Sequence, residues 1–232
     1  MKYYLIGCGG IGGWLALALV KMLSSEDELV LMDGDKFEEK NLDRQMCSKR
    51  DIGKSKARCL RGTLAAGARC KISILEEYLG EDVDFAFSSD SWVLTGVDNH
   101  PARLRTLNLC DNVGVPCISA ANGYEDAEAF MYSPKWSDTP MDPRKYYPEL
   151  LDDVQGDPLA PPCTGEVLES TPQLAMANMC AAAHAMQLLW FWKEVAPKLQ
   201  SIEAREVSPV QIIGTASRIR VKTVKDLTDE TN

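Results

Sequence analysis

Three glycines near the start of the chain, Gly7, Gly9 and Gly12, have the spacing G-x-G-x-x-G between a short apolar run, residues 3–6, and a helical pattern, residues 14–23. Strand, glycine turn and helix in that order form a phosphate cradle. The first glycine permits the tight turn, the second admits a phosphate to the backbone, and the third lets helix and strand pack closely. The free N–H groups at the helix start then face the anion. Asp33 closes a second apolar run, residues 28–32, where an acid can hold ribose hydroxyls. The next stretch, DGDKFEEKNLDRQ, is dense in polar groups: Asp35, Glu38, Asn41, Arg44 and Gln45. It leads into DIGKSKA, with Lys54 and Lys56. One arginine and two lysines near a ribose-binding acid suit a triphosphate that must be polarised better than a hydride carrier. Asp98 and Asn99 end a further apolar run, residues 91–97, and Cys163 follows a proline-rich stretch.

These residues need a frame. The runs 3–6, 28–32, 71–75, 91–97 and 115–120 read as strands, and helical patterns separate them at 14–23, 55–66 and 101–109. Alternation of this kind predicts an α/β fold with a Rossmann-like, doubly wound, mainly parallel sheet. Asp98 then falls on the C-terminal sheet edge, where such sheets bind ligands. Residues 133–162 carry seven prolines and read as a long crossover loop with little regular structure. An apolar helix follows to about residue 195, with Thr171 as N-cap and Pro172 in its first turn. Residues 206–214 and 217–224 read as a closing antiparallel hairpin, and 226–232 as a frayed tail. The whole chain, 1–232, reads as one domain.

Composition excludes several classes. The 232 residues are 45% hydrophobic and 25% charged, as in ordinary globular proteins, and carry a net charge of −9. An acidic surface repels phosphate backbones, so no nucleic-acid partner is expected. Eight scattered cysteines without a C-x-x-C pair, in a chain that opens on a strand, fit free thiols in the cytoplasm and no zinc site. The longest apolar stretch, 174–192, contains Asn178, His184 and Gln187 and reads as a core helix, not a membrane span. His184 reads as a core or helix-face residue, and His100 as a loop residue beside the site.

Together the blocks GCGGIGG, DGDKFEEKNLDRQ, DIGKSKA and GVDNHPAR resemble the adenylation domain of ubiquitin-activating enzymes and their bacterial relatives. Those relatives are the sulfur-carrier adenylyltransferases of thiamine and molybdopterin synthesis (the ThiF/MoeB family). The resemblance implies an ATP- and Mg²⁺-dependent adenylyltransferase that activates a C-terminal carboxylate as acyl-adenylate and releases pyrophosphate. It implies that Gly7, Gly9 and Gly12 form the nucleotide turn and that Asp33 holds the ribose. Asn41, Arg44 and Lys56 would engage the phosphates, the family spacing favouring Lys56 over Lys54. Asp98 would position magnesium and the reacting carboxylate, with Asp35, Gln45 and Asn99 as further contacts. Cys163, in PPCTGEV, occupies the place of the family's catalytic cysteine, which takes the acyl group as a thioester or takes part in sulfur transfer. The implied partners are a ubiquitin-like or sulfur-carrier protein, a conjugating enzyme or sulfur donor, and a second copy of the chain.

The chain departs from the family pattern in lacking paired C-x-x-C motifs, an N-terminal arm with an arginine, and an appended ubiquitin-fold or cysteine domain. Two alternatives stand beside this expectation. One is an enzyme that stops at the acyl-adenylate and hands it to a sulfur donor or peptide amine. The other is a non-catalytic subunit that uses the fold to bind nucleotide. A nicotinamide dehydrogenase is a further, weaker reading.

Overall fold

A computed structural model describes residues 1–79, 85–123, 126–152, 174–199, 206, 208–215 and 218–229. Cys163, Thr171 and Pro172 lie outside them. Eight strands form one sheet: β1 (Lys2–Ile6), β2 (Glu28–Met32), β3 (Lys71–Leu75), β4 (Ser91–Thr95), β5 (Cys117–Asn122), β6 (Asp126–Tyr132), β7 (Pro209–Thr215) and β8 (Arg218–Thr223). Their order is β3-β2-β1-β4-β5-β6-β7-β8. The first five run parallel, and β6, β7 and β8 are antiparallel to their neighbours. The strand order reverses between β1 and β4, and such a switch point leaves a crevice beyond the strand ends.

Helices cover both faces. α1 (Gly10–Met22), α2 (Lys56–Ala65) and α6 (Ala175–Trp190) share one core with Leu5, Leu31, Leu94 and Ile118. α3 (His100–Val113) and α5 (Glu149–Asp152) pack on the other face against Ile6, Val93 and Tyr132. β4 is buried at every position, as a central parallel strand covered by helices must be.

The structure differs from the sequence reading at several places. α1 begins at Gly10, four positions before Trp14, because a Cβ at Gly12 would lie 1.9 Å from the Gly7 carbonyl oxygen, so only glycines let the helix start against the turn. Gly7 itself is left-handed, with φ of 90°. β5 starts at Cys117, not residue 115, because Gly114, at φ of 80°, ends α3 and turns the chain. β6 was not foreseen and makes the antiparallel part three strands, not a hairpin alone. The described part of the supposed crossover loop, 133–152, is folded: a turn at Pro134–Trp136, then α4 (Pro143–Tyr146), then α5. Pro134 and Pro143 sit in first turns, where they start helices, and the Asp142 side chain caps α4 by accepting from the Arg144 N–H at 3.0 Å. The described part of the supposed frayed tail, 226–229, belongs to α7 (Val224–Asp229), anchored by buried Leu227. The Thr223 N–H and hydroxyl both donate to Asp226 at 2.8 Å to begin it.

Arg144 ties α4 to the rest. It donates to Asp142 and Asp111 at 2.8 Å, to Asn108 at 3.1 Å and to the Tyr132 hydroxyl. Nearby, Tyr147 donates to Glu128 at 2.6 Å.

Candidate active site

The crevice at the switch point is a cavity of about 300 Å³. The turn after β1 forms its floor. Asp33, just past β2, braces that turn: its carboxylate accepts from the Cys8 N–H at 2.6 Å and from the Asp35 N–H at 2.7 Å. Burial pushes the Asp33 carboxyl above its ordinary range, against the pull of Lys56 and the two N–H donors. α1 starts at this turn with Gly9 as an N-cap that offers no side chain and with no acid in its first turn. The positive end of the helix is therefore left to a ligand.

Lys56 also lines the cavity. It is the first residue of α2, where the helix dipole disfavours a cation, and it is buried. Its position makes sense through its partners: Nζ donates to Asp35 at 2.8 Å, and Asp33 and Asp98 add attraction. Burial alone would lower its pKa, but these acids outweigh burial and raise it, so the ammonium is fully charged. Asp35 also accepts from the Tyr78 hydroxyl at 2.6 Å, and this carboxylate, with burial, pushes the Tyr78 phenol up to about 12. Burial pushes the Asp35 carboxyl up, yet the Lys56 and Tyr78 bonds win and leave it lowered.

Asp98 lies just past β4, next to the glycine turn, and is exposed to the cavity. Asn99 caps α3 by accepting from the Ala102 N–H at 2.8 Å. Pro101 occupies the first turn, and His100 is the first residue of α3, not a loop residue. His184 is buried on α6, as its place in an apolar run implied.

The fold thus brings Gly7, Gly9, Asp33, Asp35, Gln45, Lys56, Asp98 and Asn99 around one cavity. Gly12 lies beneath, against the Gly7 carbonyl. Asn41 and Arg44 do not line the cavity. Asn41 is buried and closes its own turn, accepting from the Glu38 N–H at 2.9 Å. Arg44 points to the Lys40 carbonyl at 2.7 Å and to Asp43 at 2.9 Å. Lys54 is exposed at a turn away from the cavity. Cys163 lies outside the described residues. The sequence reading assigned no role here to Gly10, Tyr78, Arg103, Asn122 or Asn178, all of which line the cavity. Only Asn178 had left a signal, as a polar residue inside an apolar helix.

Among the described residues the lining acids Asp33, Asp35, Glu77 and Asp98 outnumber the lining cations Lys56 and Arg103. A triphosphate entering such a cavity needs a divalent cation to offset repulsion. Among the described residues no group of three His, Cys, Asp or Glu side chains is placed to hold a metal ion by itself. A lone carboxylate such as Asp98, completed by phosphate oxygens and water, is the donor set that Mg²⁺ takes in phosphate-handling sites. The residues fit that ion.

A profile of the ThiF family matches residues 1–216. No curated protein matches the sequence. Among solved structures, selenomethionine PaaA superposes with a TM-score of 0.65 at 18% identity, over 96% of this chain and 72% of that one. MccB of E. coli, solved with ATP, gives 0.63 at 20% identity, over 96% of this chain and 63% of its own. MccB solved with AMPCPP and MccA gives 0.62, also at 20% identity and the same coverage. The chain therefore spans somewhat under two thirds of MccB, and at these identities the likeness is one of fold. With the family profile running through the glycine turn, Lys56 and Asp98 alike, the chain belongs to the ThiF family.

Proposed function

We propose that this protein is an ATP-dependent adenylyltransferase that activates the C-terminal carboxylate of a polypeptide. The observation that carries the reading is that Asp98 and Lys56 line the same cavity as the glycine turn. In this reading the nucleoside lies on the Asp33 side and the phosphates over the start of α1. A substrate carboxylate oxygen attacks the α-phosphorus, the bond to the bridging oxygen breaks, and pyrophosphate leaves with both electrons. The product is an acyl-adenylate.

Each residue's task follows from charge. The carboxylate is already ionised at neutral pH, so no general base is needed. What the site supplies is neutralisation of converging anions. Lys56 brings a fixed ammonium, and the α1 N-terminus brings uncapped N–H groups. Asp98 would hold Mg²⁺, which supplies electrophilic activation of the phosphates when bound. Arg44 joins the phosphates only by leaving the Lys40 carbonyl and Asp43.

MccB, which shares the fold, is solved with ATP and with AMPCPP plus MccA, a precedent for a nucleotide and a second ligand together. The family resemblance favours a ubiquitin-like or sulfur-carrier protein as substrate, in a cytoplasmic homodimer. It also favours acyl transfer to Cys163, in which the thiolate attacks the acyl carbon and AMP leaves. Pyrophosphate–ATP exchange tests the first step. Exchange should depend on an added peptide or carrier with a free C-terminus, vanish in Asp98→Ala and persist in Cys163→Ala. A thiol-labile adduct should be lost in Cys163→Ala even though exchange persists there. No exchange with any carboxylate would leave only a nucleotide-binding subunit.

A further inference from the structure

Asn178 is the polar residue in the first turn of α6, on a face otherwise made of Ala177, Ala181, Ala185 and Leu188. It is 1% exposed and lines the cavity. Its amide lies flat on the glycine turn: a Cβ on Gly10 would come within 2.5–2.8 Å of Nδ2, Cγ and Oδ1 together. That contact gives Gly10 a reason to be glycine. The orientation of the amide follows from its surroundings. Nδ2 donates to the Arg44 carbonyl oxygen at 3.4 Å, and a carbonyl there can only accept. The oxygen is therefore the free end, and among the described residues Oδ1 is buried without a hydrogen-bond partner. Such an acceptor is costly to bury unless something donates to it.

Its place in the fold narrows the donor. α6 packs on β5, β6 and α1, so Asn178 stands on the β5 side of the glycine turn, with Ala121 and Asn122 lining the same cavity. The ribose acid Asp33 and Tyr78 lie at the β2 and β3 side. Phosphate oxygens are acceptors and cannot satisfy Oδ1. A carboxylate approaching Asp98 from the β5 side can, if its carrier bears an N–H close to the reacting group, as every peptide C-terminus does. We propose that Asn178 is a specificity residue for the acyl substrate, its Oδ1 accepting a hydrogen bond from the backbone N–H of the substrate's terminal residue. This rests on the adenylation reading above and gives the site a way to prefer polypeptide C-termini over simple carboxylates.

The test is ligand-side and protein-side at once. Pyrophosphate–ATP exchange is measured with three matched probes: an N-acetyl hexapeptide ending Gly-Gly, the same peptide with the last amide N-methylated, and the depsipeptide with an ester oxygen for that N–H. The wild type should use the parent peptide at least about 30-fold better, in apparent second-order rate, than either analogue, since a site built around a donor rejects ligands lacking it. In Asn178→Leu, of similar volume, and in Asn178→Ala, the parent should fall towards the analogues and the ratio towards one. ATP affinity by calorimetry should hold in both variants. A wild type indifferent to N-methylation and ester replacement overturns the proposal. So does a variant that keeps the wild-type ratio, since another group then reads the N–H. ATP binding without exchange on any probe removes the adenylation reading itself, and this proposal with it.

Discussion

Two buried polar clusters in this molecule are built on opposite principles. The Arg144 cluster, between α4, α3 and β6, draws its guanidinium inward onto two carboxylates, an amide and a phenol. The cluster around the glycine turn also buries charge, but among the described residues the Gln45 and Asn178 amide oxygens have no partner, and the helix start carries no side-chain cap. The first is closed on itself and joins elements that share no covalent neighbour. The second is open towards a cavity. Unmade hydrogen bonds inside a protein are a cost, and where they gather at a cavity they mark a place where a ligand supplies the missing partner.

That contrast can be broken by mutation. Arg144→Met should remove about 1–3 kcal/mol of stability, because it leaves the buried Asp142 and the partly buried Asp111 without their cation. Chemical denaturation should show the loss, while exchange activity well below the lowered Tm stays near wild type. Asp98→Ala should do the reverse. Exchange should fall by at least 10²-fold, about 3 kcal/mol of transition-state stabilisation, with Tm unchanged because Asp98 is exposed. If Arg144→Met abolishes ATP binding, or Asp98→Ala unfolds the protein, the division between the two regions fails.

Smaller changes sharpen it. Tyr78→Phe removes one hydrogen bond from Asp35 and leaves Lys56 in place. The KM for ATP should move by two- to fivefold, about 0.5–1 kcal/mol, without change in Tm. An unchanged KM would assign Tyr78 to the surface. The smallest effect is a pH dependence in the scaffold. Burial lowers the His184 pKa, so the folded chain holds this imidazole neutral while the unfolded chain protonates it near 6.5. Stability should be complete above pH 6.5 and fall as pH drops through that value towards the folded pKa. His184→Gln should flatten this limb in urea titrations at pH 5 and pH 7, and an equal slope in the variant would place the acid sensitivity elsewhere.

The parallel half of the sheet was legible because its strands are short, continuous apolar runs, and because each run that matters ends in a chemical residue: Gly7, Asp33, Asp98. The antiparallel half was less so. β6 reads DAEAFMY, and its alanines have little strand propensity, so a strand buried at five of its seven positions stayed hidden. Prolines 134 and 143 look like breakers in a string but occupy first turns. Within the site, motif spacing located the glycines, Asp33, Lys56 and Asp98. It could not show that Arg44 turns onto Asp43, a choice made by local hydrogen bonds. Nor could it bring Asn178 to Gly10, since that contact depends on α6 packing against α1 across more than 160 residues of chain.

The central claim is that the open cluster directs a carboxylate onto the α-phosphorus of ATP, and isotope transfer reads that bond directly. A peptide labelled with ¹⁸O in its terminal carboxylate is incubated with the protein, ATP, Mg²⁺ and hydroxylamine, which attacks the acyl carbon and releases the nucleotide. Mass spectrometry of the nucleotide should show AMP carrying one ¹⁸O atom from the peptide. Unlabelled AMP, or label in inorganic phosphate with ADP as the nucleotide product, would contradict the account.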